Sequence, residues 1–436
     1  MRTGDAGAVG STTSIATGEV PSPAPAARPG SFDSLRYPQF RLLWVGGLFI
    51  SLATLAQSIG RGWLARELTG SNAGLGGVLL GFGLPMLVAT PWGGVAADRL
   101  SKRLVLAVST GLLVAVSAWI GVAVALDLIE YWMLVVASGL QAVAYAFYTP
   151  ARMAFIPELV DARAVPNAIV LGLVSNEGTR VAGPAAAGAL IGASTHGTEA
   201  VFLGGGALIL VGLLTLSRLP SGRPAAARPS RSPLAELREG LSYLGRDRAV
   251  RLLVATSLMV VMIGYPYVAF LPTVADEIFA VGSRGYGLMS AVAAGGAVVA
   301  GLATARLGTA HDAWRLLYVS GAAFGLTVIG LGVAPTFPVA VVTLVGVGAM
   351  NLVFQTVNQS LVLELAAVEY HGRIQGLLML GFSGFGIAAL PLGFAADAIG
   401  LRTTLGLMGA AVLAITMLST VRSRQVRRRA IPLHAG

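Results

Sequence analysis

GVAADRLSKR, residues Gly94–Arg103, separates two long apolar stretches and holds one acid and three bases. A charged cluster between two membrane-length runs is costly unless it lies where the chain leaves the lipid. Its register, G-x-x-x-D-R-x-x-K-R, sets Gly94, Asp98, Arg99, Lys102 and Arg103 in one short loop. Working outward from it, about twelve stretches meet the roughly 20-residue apolar length that a bilayer-spanning helix needs. They run roughly 40–65, 73–97, 103–126, 130–155, 164–193, 200–218, 249–275, 286–306, 314–334, 338–364, 373–398 and 403–421. Of the 436 residues 55% are hydrophobic and 11% charged, and mean hydropathy is +0.76, which excludes an ordinary soluble globule. The 57 glycines fall largely within the apolar runs, where small residues let helix backbones approach closely. The expected class is an all-α integral membrane protein with twelve transmembrane helices.

Several chemistries drop out. Cysteine is absent, so no disulfide framework or thiolate site can form. His196, His311, His371 and His434 lie far apart and make no metal-ligand spacing. With no P-loop and no catalytic grouping of His, Ser and acid, neither an enzyme nor a cofactor or metal requirement is expected. Residues 1–38 are rich in Pro, Ala, Gly, Ser and Thr and read as a disordered tail.

The net charge of +10 concentrates in two places. Arg218, Arg223, Arg228, Arg231, Arg238, Arg246, Arg248 and Arg251 follow the sixth run, and Arg422, Arg424, Arg427, Arg428 and Arg429 close the chain. Both clusters fall on the same side as the 94–103 loop, while the opposite loops carry Asp127, Glu130, Glu199, Asp276 and Glu277. Under the positive-inside rule both termini are cytoplasmic. The basic tail suits anionic lipid headgroups, and this placement argues against nucleic acid as a partner.

Residues 219–248 divide the runs six and six, giving bundles at 39–218 and 249–421 and a basic tail at 422–436. Within the linker, Ser232 is a helix N-cap, Pro233 the first helical position, and Leu234, Leu237, Leu241 and Leu244 form an apolar stripe. That helix can lie on the membrane surface or simply tether the halves. A shift of 206 residues lays Tyr148 on Phe354, Glu158 on Glu364 and Leu159 on Leu365, and one residue further Pro184 meets Pro391. Two related halves around a central site are a transporter architecture.

The chain resembles the major facilitator superfamily along its length beyond the tail, most of all the bacterial efflux branch with siderophore, macrolide and drug exporters. The resemblance is carried, in order, by SLRYPQFRLLWVG, ELTGSNAGLG, GVAADRLSKR, IPELVDARAVPNA, TRVAGPAAAG, LAELREGLSYL and RGYGLMSAVAAGGAVVAG. It implies a secondary transporter of a small molecule in the bacterial inner membrane, working by alternating access, with export against protons as the leading expectation. An importer or lipid-type flippase on the same fold, or a transport-inactive sensor or scaffold, are the alternatives.

The resemblance implies that Gly94, Asp98, Arg99, Lys102 and Arg103 form a cytoplasmic latch between the halves; a plain positive topology anchor is the simpler reading. The second-half equivalent, GLATARLGTAHD, keeps Gly301 and Arg306 but has Ala305 in place of the acid. In the fifth run, Gly183 and Pro184 predict a bend followed by a smooth surface of Ala185–Gly188. Glu177 and Arg180 fall near the midplane and three residues apart, as an ion-coupling pair or a structural one. Gln141, Tyr145 and Tyr148 in the fourth run, and Asn351, Gln355 and Asn358 in the tenth, each lie on one helix face. With Gln57, Arg61 and Tyr265 they are candidates for a substrate cavity, or else polar glue between helices.

Overall fold

The computed structural model describes residues 32–222, 233–307 and 312–430. Its helices are α1 (Pro38–Thr69), α2 (Asn72–Arg99), α3 (Lys102–Ala125), α4 (Tyr131–Leu159), α5 (Val165–Ala193), α6 (Gly197–Ser217), α7 (Pro233–Arg246), α8 (Arg248–Gly264), α9 (Tyr267–Thr273), α10 (Gly282–Leu307), α11 (Ala313–Val333), α12 (Phe337–Leu365), α13 (His371–Ile399) and α14 (Leu401–Ala430). α8, α9 and a π turn at Val274–Ile278 form one continuous span. No strand occurs among the described residues.

Eleven spans are long and apolar enough to cross a membrane. α5 is equally long but misses that apolarity, because Asn176, Glu177, Thr179 and Arg180 interrupt its middle. It packs against α1 and α10 as the remaining member of a twelve-helix fold.

Local chemistry sets the helix ends. Pro38 opens α1, where its missing N–H costs nothing, and Gly70 closes it at φ 60°, a left-handed conformation that glycine adopts freely. Ser71 and Ser101 cap α2 and α3 through Gly74 N and Leu104 N. Asp247 caps α8 by accepting from Ala249 N (2.8 Å) and Val250 N (3.0 Å).

In the first half, α1 packs on α5 and α6, α3 on α4 and α6, and α2 on α4. In the second, α11 packs on α12 and α14, α10 on α12, and α8 on α13 and α14. α12 and α13 repeat the bounds of α4 and α5 after a shift of 206 residues.

Several expected boundaries move. Residues 33–37 are ordered rather than part of a loose tail: Ser34 N and Oγ both donate to Asn167 Oδ1 (3.1 and 2.7 Å), and the Tyr37 hydroxyl donates to Asp161 (2.7 Å). That hydrogen bond to a carboxylate pushes the Tyr37 phenol up from its ordinary range. α14 continues past 421 to Ala430 without a break. The linker helix α7 docks on the second half, where Glu239 pairs with Arg373 (2.8 Å) and Tyr243 stacks on Tyr370 (centroids 4.3 Å). Its Leu244 is buried but Leu241 is exposed, so the leucine stripe is only partly covered. Ser232 lies outside the described residues, as do the side chains of Leu234 and Leu237.

Candidate functional site

The end of the molecule where α1 begins and α14 finishes is called here the terminal end, and the opposite one the distal end. The two halves meet along α2–α13 and α5–α10. Glycines make both lines possible. A Cβ on Gly83 would sit 2.6 Å from the Ser383 carbonyl oxygen, and one on Gly76 2.5 Å from that of Ala389. On the other line, a Cβ on Gly188 would come within 2.7 Å of the Gly287 Cα. Backbone therefore touches backbone from mid-seam to the distal end.

Polar groups close the distal end further. Asp397, near the end of α13, accepts from the Asn72 backbone N–H (2.8 Å), the Asn72 side-chain amide (2.9 Å) and the Ala73 backbone N–H (2.9 Å). A carboxylate from one half thus caps the first turn of α2 in the other, where the helix dipole favours a negative charge. Arg66, nearly buried at the end of α1, pairs with Glu277 and lies 3.9 Å from Asp276.

The terminal end is different. Gly94 has nothing within 4 Å of the position a Cβ would take, and Asp98 is exposed with no hydrogen-bond or ion-pair partner among the described residues. The close-packed glycine of this turn is Gly93, whose Cβ would collide with the Ala146 carbonyl of α4. The last two bases of the motif are anchored on their own side of the seam. Buried Lys102 pairs with Glu158 (2.6 Å), and Arg103 donates to the Leu219 carbonyl (3.0 Å). Asp98 and Arg99 remain at the surface. In the second half Gly301 lies against Leu352, whereas the side chains of Ala305 and Arg306 are outside the described residues.

Between these ends lies a polar middle. Arg61, 5% exposed, donates to Gln141, and Tyr145 shares a short hydrogen bond with Thr54. Tyr148 stands edge-on to Tyr145, its buried hydroxyl without a hydrogen-bond partner among the described residues. Arg180 reaches across the seam to the Tyr265 hydroxyl (3.4 Å) and lies 3.7 Å from Glu177, whose other carboxylate oxygen is buried with no hydrogen-bond partner among the described residues. Asn351 and Gln355 are half-buried on α12, facing no hydrogen-bond partner among the described residues.

Two expected cavity residues are committed elsewhere. Gln57 is buried among α1, α3 and α6, bonded to Ser117 (2.9 Å) and the Phe202 carbonyl (3.3 Å). Asn358 is buried and donates to the Leu253 carbonyl of α8 (3.2 Å). Gly183 and Pro184 are both buried within an unbroken α5. Gly183 faces α1 near Leu52 and Leu55, and the Pro184 carbonyl faces Gly287 of α10. The pair is thus a contact point for two neighbours.

Residues 29–431 match the family model described as "transmembrane secretion effector". The chain belongs to this family of major facilitator transporters. Among curated relatives, the staphyloferrin A transporter of Staphylococcus aureus is 22% identical over 346 residues, covering 79% of this chain and 86% of that protein. An uncharacterised MFS-type transporter of Bacillus subtilis is 26% identical over 368 residues, covering 76% and 83%. Among solved structures, a bacterial homologue of the lysosomal transporter Spinster, in an inward-facing and unoccupied conformation, superposes with a TM-score of 0.73 at 16% identity, covering 91% of this chain and 98% of that one. A nucleoside transporter superposes at 0.72 with 12% identity, covering 88% and 99%. The major facilitator fold is therefore established, and the chain is a multi-pass membrane transporter rather than an enzyme.

Arg152 and Asp397 are the site residues that sequence reading passed over. Arg152 points between α1, α4 and α5, beside Ser51, Ser175 and Asn176, with its Nε buried and without a hydrogen-bond partner among the described residues. A signal existed for it: a cation seven positions from the end of a long apolar helix is too deep to be a boundary residue. Asp397 had no such signal, since an acid at a helix end is ordinary.

Proposed function

We propose that this transporter exports a small organic molecule from the bacterial cytoplasm by alternating access, driven by proton antiport. The observation that carries the reading is the asymmetry of the seam, tight from its middle to the distal end and unlatched at the terminal end. The terminal end bears the arginine-rich linker and tail, so the positive-inside rule makes it cytoplasmic. The conformation is then the one that loads cargo from inside. The secretion family and the staphyloferrin A relative support outward movement of a small molecule.

In this cycle Tyr145, Tyr148, Asn351 and Gln355 face the cargo, together with Arg61, Gln141 and Tyr265. Their exposure should alternate with the state of the seam. The naturally cysteine-free chain makes the test direct. Cysteines placed singly at positions 145, 351 and 355 will react with membrane-impermeant thiol reagents applied from the cytoplasmic side. Reaction from the opposite side will appear only under conditions that turn the carrier over. Complete protection from both sides at all three positions would remove the cavity from this seam.

Glu177 is the proton carrier in this reading. It is the acid nearest the middle of the spans, and only one of its oxygens faces Arg180. Glu177→Gln will leave binding in place but make flux in proteoliposomes indifferent to an imposed pH gradient. A retained dependence on that gradient would place the coupling group elsewhere.

A further inference from the structure

The charges inside the spans are unequally shared. In the second half every charged residue of the long helices sits at a helix end, among them Arg251, Asp276, Arg284, Glu364, Arg373 and Asp397. The first half carries four in its interior: Arg61, Arg152, Glu177 and Arg180. Three are cations and one is an acid, and that acid lies against Arg180 alone.

The three arginines stand at different depths. Counting 1.5 Å per residue from the midpoint of its helix, Arg61 lies about 11 Å toward the distal end, Arg180 about 2 Å from the middle, and Arg152 about 10 Å toward the terminal end. All three therefore fall within a hydrocarbon layer of roughly 15 Å on each side. Arg61 and Arg152 are tied to groups that cannot neutralise them, whereas Arg180 keeps Glu177 at 3.7 Å and shares a single negative charge with it. Arg61 is 5% exposed and bonded to an amide, beside the inter-half contact of Gly62 with the Tyr286 hydroxyl. Arg180 reaches a phenol of the opposite half. Arg152 lies among Ser51, Ser175 and Asn176 with a buried N–H that has no hydrogen-bond partner among the described residues. Tyr145 links the ends of this ladder, its hydroxyl within electrostatic reach of Arg61 and Arg152.

A cation held in a low-dielectric interior without a counter-ion costs several kcal/mol, and an arriving anion recovers that cost. Guanidinium groups match carboxylates in particular, through paired N–H donors. We propose that the cargo is an organic anion carrying carboxylates, held by Arg61, Arg180 and Arg152 of the first half while the second half contributes uncharged polar contacts. This assignment rests on the transport reading above and adds the chemical class of what is moved. The first half then holds the charge throughout the cycle, and the second half closes over it.

The test uses the full-length protein in nanodiscs, with thermal unfolding followed in the presence of three probes: citrate, its neutral trimethyl ester, and the tetraphenylphosphonium cation. Citrate is expected to raise the unfolding temperature, and the other two are not. Arg61→Gln and Arg180→Gln should each weaken the citrate response at least about tenfold, the loss of one charge-assisted contact. Arg61→Lys should keep part of it. The unliganded unfolding temperature of each variant identifies any that misfolds, and the remaining variants then carry the result. Stabilisation by the ester or by the cation equal to that by citrate overturns the assignment, as does a citrate response that survives the arginine substitutions. The absence of any citrate response overturns it too. The cysteine at position 355 judges alternating access separately, so a wrong cargo class and a wrong transport reading give different outcomes.

Discussion

Asp98→Asn will lower transport by about tenfold or more while leaving membrane insertion and unfolding temperature unchanged. The structure gives the reason that stability is spared. In the terminal-open state the Asp98 carboxylate is exposed and bonded to nothing among the described residues, so neutralising it removes no contact there. The loss falls on the opposite state. When the terminal ends close, a carboxylate at the end of α2 approaches the second half, where α13 begins at His371 and α7 lies alongside. A hydrogen bond to a charged group contributes about 1.5–3 kcal/mol, enough to shift a two-state balance by tenfold or more. The variant should therefore rest in the terminal-open state. Its cysteine at position 355 will stay reactive from the cytoplasmic side under turnover conditions, and initial rates of efflux measure the cost. Normal flux in this variant would reduce the loop to a positive topology anchor.

Asp397→Ala should act in the opposite direction. Here the bonds exist in the structure in hand: three donors from the first turn of α2 converge on one carboxylate across the distal seam. Removing it leaves two backbone N–H groups of a helix N-terminus unserved and deletes a favourable charge at the positive end of the dipole. The expected loss is again about 1.5–3 kcal/mol, taken this time from the distal-closed state. Distal labelling of a cavity cysteine should rise about tenfold or more, with flux reduced because the seal leaks out of step. The two sites lie at opposite ends of the molecule, so their effects should add. In Asp98→Asn/Asp397→Ala the conformational balance should return toward that of the wild type even where flux does not. Unchanged distal labelling in Asp397→Ala would mean that the glycine contacts hold the seam alone.

Much of this architecture is legible in the sequence because the bilayer enforces it. Span length and the 206-residue repeat are one-dimensional signals, and α4 with α12 and α5 with α13 reproduce them in their bounds. Helix rotation is not such a signal. Gln57 and Arg180 both interrupt long helices as polar residues do, yet Gln57 is turned toward Ser117 inside its bundle and Arg180 across the seam toward Tyr265. Which polar face meets the seam depends on where neighbouring helices place their glycines, a property of pairs of helices. The same limit hid the distal cap, since Asp397 and Asn72 are far apart in the chain and nothing local joins them. The motif at Gly94–Arg103 was legible as a unit, but its division of labour was not: Lys102 and Arg103 brace the first half, while Asp98 has no partner among the described residues.

The seam itself carries one more consequence. Where Gly83 faces Gly386 and Gly188 faces Gly287, no side chains interlock. Two surfaces that mesh like gear teeth must withdraw every tooth before they part, whereas two bare rails can roll on one another. In the proposed alternating-access cycle these glycine stretches part without rotamer reshuffling, and the side-chain pairs Arg66–Glu277, Arg180–Tyr265 and Asn72–Asp397 are the contacts that must break. A single methyl group added to those rails would act as a brake.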